Sequence, residues 1–154
     1  MGLHDTSGNL MNVLFYSAPG VSQGEKLQRV IDILVPRNNV ETFRTIPSLL
    51  QRLNHPLPEM VVFIFFVSSR QELMKLVEYQ EWLWDHRLIL VLPDDDMETI
   101  SLGHALRPRF VTYAESDFID ISAVLGKILG VATLKSPSVI SAKGPDIPWK
   151  RSLI

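Results

Sequence analysis

Cysteine is absent from this 154-residue chain. A disulfide framework, a thiolate metal site and a cysteine nucleophile are thereby excluded. Charge of one sign is also missing: the formal net charge is −2, which gives no electrostatic pull toward nucleic acid or an anionic membrane. The longest apolar run, MVVFIFFV at 60–67, is far shorter than the roughly 20 residues a spanning helix needs. The first residues, MGLHDTSGN, show neither a basic region nor an apolar stretch of the secretory kind, so a cytoplasmic protein is expected. His4, His55, His86 and His104 have no i,i+4 partner, and no serine sits in a G-x-S-x-G context. Metal, general-base and activated-serine chemistry therefore have no constellation behind them, and no cofactor is expected.

What is present is an alternation of short apolar runs with helical patterns. The runs cover 12–17, 40–44, 60–67, 88–92 and 110–113, and helical segments are expected at 22–35, 46–53, 69–86, 96–106 and 117–129. Leu27, Val30, Ile31 and Leu34 fall on one helical face, as do Ile121, Val124, Leu125 and Ile128. Consecutive βα units imply an α/β domain with a parallel sheet covered on both faces. MVVFIFFV and LILVL are apolar without alternation, which suits central strands; VETFR and FVTY alternate, which suits edges. The expected strand order is therefore 2-1-3-4-5, doubly wound, with a crevice beside the carboxyl ends of strands one and three. Residues 1–10 read as a flexible N-terminus and 11–130 as the domain. Residues 131–154 read as an irregular, basic tail containing three prolines.

This order, with PEMVVFI, LILVLPDDD and RFVTYAESDFIDISAVL, resembles the receiver domain of bacterial two-component response regulators, a flavodoxin-like fold. Phe110 stands in the place of the family's switch aromatic. The resemblance implies a signalling or scaffolding module acting through protein contact, over about 97–129. The family's phosphoryl chemistry is not implied, because its residues are missing. No carboxylate occurs at 10–24 or 60–71, Pro93 stands near the hydroxyl position, and Tyr113 or Ala114 replaces the lysine. A magnesium site and an aspartyl phosphate both need those groups. The expectation is a non-enzymatic pseudo-receiver with protein partners, a homodimer among the options, and no nucleic-acid or membrane partner.

The stretch YSAPGVSQGEKLQ at 16–28 invites a second reading. It fails as a P-loop, since Gly20 and Gly24 enclose three residues and Leu27 follows Lys26. Closer is the flavodoxin phosphate turn, to which Ser17, Gly20 and Ser22 would contribute an anion site, although Pro19 removes one backbone donor. The bland alternative makes Pro19-Gly20 a turn and Ser22 an N-cap with Glu25 at N3. Asp94 and Asp95 are weak cation candidates, set against their use in capping and favouring a helix start. Tyr79 and Trp82 lie among Lys75, Glu78, Glu81 and Asp85, which marks a contact surface or a neighbour's packing partner. Tyr113 and Trp149 complete the expected interaction residues. Trp149 is flanked by Ile147, Pro148, Lys150 and Arg151.

Overall fold

Six consecutive apolar residues, VVFIFF, form a strand whose side chains are all buried, which requires a cover on both faces. The computed structural model describes residues 11–129 and supplies that cover. The elements are β1 (Asn12–Ser17), α1 (Ser22–Leu34), a 3₁₀ turn (Arg37–Asn39), β2 (Val40–Phe43), α2 (Ile46–Leu53) and β3 (Val61–Phe66). They continue with α3 (Arg70–Val77), α4 (Gln80–Leu83), β4 (Arg87–Leu92), α5 (Met97–His104), β5 (Phe110–Tyr113) and α6 (Ile119–Leu129). The five strands are all parallel and lie in the order β2-β1-β3-β4-β5. This is the doubly wound, flavodoxin-like arrangement expected from the sequence. The N-terminal segment 1–10 and the tail 131–154 lie outside the described residues.

Alternate strand residues feed two cores. Val13, Phe15, Val62, Ile64, Phe66, Ile89 and Val91 face Leu27 and Ile31 of α1 and Ile121, Val124 and Leu125 of α6. Leu14, Tyr16, Phe63, Phe65, Leu88, Leu90 and Leu92 face α2 to α4, through Ile46, Leu49, Leu73, Leu76 and Leu83, with Ile100 and Leu102 of α5 partly buried against them. Burying each such side chain contributes about 1.5–3 kcal/mol. Of the two edges, β5 alternates buried and half-buried as expected, whereas β2 does not alternate and is half-buried throughout. On β2, Glu41 is held by Arg52 of α2, Nε to Oε1 at 2.8 Å and Nη2 to Oε2 at 3.3 Å.

Two further expectations need correction. The continuous helix over 69–86 is two helices, because Tyr79 takes φ −113° and ψ 25° between α3 and α4. Ser22 is not the N-cap of α1: Val21 occupies that position, makes no side-chain cap bond, and accepts from the Glu25 amide at 3.1 Å.

Candidate functional site

In this strand order the carboxyl ends of β1 and β3, at Ser17 and Phe66, meet at the switch point where a ligand would enter. Several polar side chains of the loops at that edge are bonded to one another or to backbone.

After β1 the three residues of the expected anion turn separate. Ser17 is buried at 1% exposure. Its hydroxyl is 3.4 Å from the Ala18 carbonyl, and it packs on Gly24, where an added Cβ would fall 2.1 Å from Ser17 Oγ. Gly20 (φ 78°) and Ser22 are exposed, with open space where a Gly20 Cβ would point. Arg44, just past β2, donates to the Ser17 carbonyl at 3.4 Å and to Gln28 Oε1 at 2.7 Å. Gln23 Nε2 donates to the carbonyls of Ala114 at 2.6 Å and Ser116 at 3.3 Å, tying α1 to the loop after β5.

After β3, the stretch 64–68 where the resemblance would put a phospho-acceptor is buried from Ile64 to Val67 and exposed at Ser68. Ser68 donates from its amide and its hydroxyl to the two Glu72 carboxylate oxygens, each at 3.0 Å. Ser69 Oγ caps α3 by accepting from the Glu72 amide at 3.2 Å. This is a capping box displaced by one residue, and S-x-x-E at 69–72 was its sequence signal. Burial, helped by the neighbouring Glu72 carboxylate, pushes the Tyr16 hydroxyl well above its ordinary pKa of 10.0.

After β4 the aspartates are also engaged. Asp94 Oδ1 accepts from the Asp96 amide at 2.9 Å. That bond, then one from the Thr99 side chain, holds the Asp94 carboxyl below its usual range. Arg70 reaches across from α3 and donates to Glu98 at 2.6 Å, Asp96 at 3.1 Å and the buried Thr99 hydroxyl at 3.2 Å. No residue pattern announced this clasp, since its members lie more than 25 positions apart. Asp95 is exposed. Among the described residues no group of three or more His, Asp or Glu side chains is placed to hold a metal ion.

The expected interaction residues scatter. Phe110 is buried at 5% exposure in the core facing α1 and α6, which removes it from the surface. Tyr113 is half-buried against the opposite core. Tyr79 and Trp82 do meet, edge to face at 5.2 Å, with Trp82 41% exposed. Tyr79 also lines a shallow groove of about 330 Å³ with Ile46, Pro47, Leu50, Lys75 and Glu78. His86 is half-buried, its ring 4.9 Å from that of Phe63. Trp149 lies outside the described residues. Sequence periodicity missed several exposed apolar side chains, among them Ile33 (82%) on α1, Met74 (51%) on α3, Met97 (82%) opening α5 and Ile119 (66%) opening α6.

Among the described residues no helix is long and apolar enough to cross a membrane. No family model, curated protein or solved structure matches this chain, so its fold is the arrangement described above and its family is not fixed by likeness.

Proposed function

We propose that this protein is a non-enzymatic, receiver-like module of the cytoplasm that cannot be phosphorylated and works by docking another protein through α5, β5 and α6. The observation that carries the reading is the pair Met97 and Ile119. Each is a large apolar side chain held in solvent at the first turn of a helix, on either side of edge strand β5. Apolar groups at one sheet edge suit a protein partner, whose association would bury them. The arrangement of the strand ends supports the negative half. Buried phenylalanines stand where an acceptor carboxylate would be needed, and the nearby acids are bound to Ser68, Arg70 and the Asp96 amide.

Site-specific photo-cross-linking in the source cells tests this. Benzoylphenylalanine replacing Met97 or Ile119 should trap one discrete protein adduct. The same probe at Ile33, 82% exposed on the outer face of α1, should trap none. Absence of adducts at both sites, or an equal pattern at Ile33, would refute the assignment.

A second reading, an anion bound by the turn 17–22, is favoured by one feature: α1 opens without a side-chain cap. Phosphate, nucleotide or FMN at 100 times its Kd would add about 2.7 kcal/mol of stability. Such a shift, lost in Gly20→Val, would replace the first reading.

A further inference from the structure

The groove between α2 and the α3–α4 junction is built from Ile46, Pro47, Leu50 and Tyr79, with Lys75 and Glu78 on its rim. Tyr79 in turn stands edge to face against Trp82. Glu81 and Asp85 are exposed on the same stretch. A shallow apolar groove with one aromatic wall, Glu78 and Lys75 in its lining and two further acids exposed on the stretch that follows fits an extended, proline-containing segment that ends in basic residues.

This chain carries such a segment, Ile147-Pro148-Trp149-Lys150-Arg151. We propose that it docks in cis on the groove, with Pro148 and Trp149 against Pro47, Leu50 and Tyr79, and Lys150 and Arg151 toward Glu78 and Glu81. Charge favours this occupant over a second domain face. Residues 131–154 hold four basic side chains and one acid, so they carry +3, while the rest of the chain carries −5. Reach permits it. Residues 130–146 span up to roughly 55 Å when extended, against a diameter of about 35 Å for a domain of this size. A segment tethered in this way is presented at an effective concentration near the millimolar range, well above that of a second copy in dilute solution. The site lies on the face opposite α1 and α6, so this contact stands whether or not the α5–β5–α6 docking surface is correct.

The test compares amide ¹H–¹⁵N spectra of the full-length wild type, Trp149→Ala and Glu78→Lys, with native mass measured on each. Docking in cis predicts a monomer in which Trp149→Ala moves the amides of residues 46–50 and 75–82 and leaves the rest of the domain in place. Glu78→Lys should move the amides of residues 147–151. Unchanged groove amides in Trp149→Ala would overturn the proposal, as would changes clustered elsewhere. Changes that vanish on dilution along with a dimer mass would also overturn it, since they would assign the contact to a second copy.

Discussion

Gly24 sits inside α1, where alanine ordinarily gains about 1 kcal/mol over glycine. Here a Cβ would lie 2.1 Å from Ser17 Oγ and 3.2 Å from Ser17 Cβ, with Phe66 behind them. Overpacking of that kind costs about 1–3 kcal/mol, so the clash outweighs the propensity gain. Gly24→Ala is expected to lower stability in urea titration, and Ser17→Ala with Gly24→Ala should recover most of the loss by deleting the hydroxyl. A single variant as stable as wild type would refute this packing. In the sequence, Gly20 and Gly24 look like the glycines of a phosphate loop. Only the turn of Ser17 toward the helix shows that the second is there for contact, and one-dimensional spacing carries no such direction. Tyr16 supplies a pH signature. Its hydroxyl titrates higher in the folded chain than the ordinary 10.0, so its share of stability is full below pH 10 and is lost as pH rises toward the folded value. Tyr16→Phe should flatten the alkaline limb of a stability–pH curve above about pH 10. Parallel limbs would contradict it.

Among the elements, α1 and α6 were readable because their apolar residues fall on one face, and Leu27, Ile31, Ile121 and Leu125 are buried as that pattern requires. The α3–α4 break was not. Leu76 and Leu83 lie seven positions apart and are both buried, so the apolar period runs across the break undisturbed. What ends α3 is the backbone of Tyr79, whose ring is placed in the groove beside Ile46 and Leu50. The Arg70 clasp was equally silent, because it joins the starts of two helices that only the fold brings together. Two of its three bonds are to exposed carboxylates, worth about 0–1 kcal/mol each, and the third reaches the buried Thr99 hydroxyl, which also bonds Asp94. Arg70→Ala should therefore cost about 1–2 kcal/mol, most of it from Thr99 and lost packing of the arginine stem. In 1 M salt most of the difference from wild type should persist. A difference abolished by salt would make the clasp purely ionic.

At the scale of the molecule, strand order was legible because covered strands must be apolar on both faces, which separated VVFIFF and LILVL from VETF and FVTY. The loops at the carboxyl edge were legible only in what they lacked. Missing carboxylates could be counted, but the pairing of Glu72 with Ser68, or of Gln23 with the loop after β5, depends on distances the sequence does not state. The proposed receiver-like module should perform no phosphoryl transfer at its switch point. The most direct test is to expose the ¹⁵N-labelled full chain to acetyl phosphate with Mg²⁺ and follow intact mass and amide shifts together. The expected result is an unchanged mass, with the amides of residues 17–22, 67–72 and 94–99 unmoved. A single phosphate adduct on an acidic residue at that edge, with those amides shifting, would contradict it.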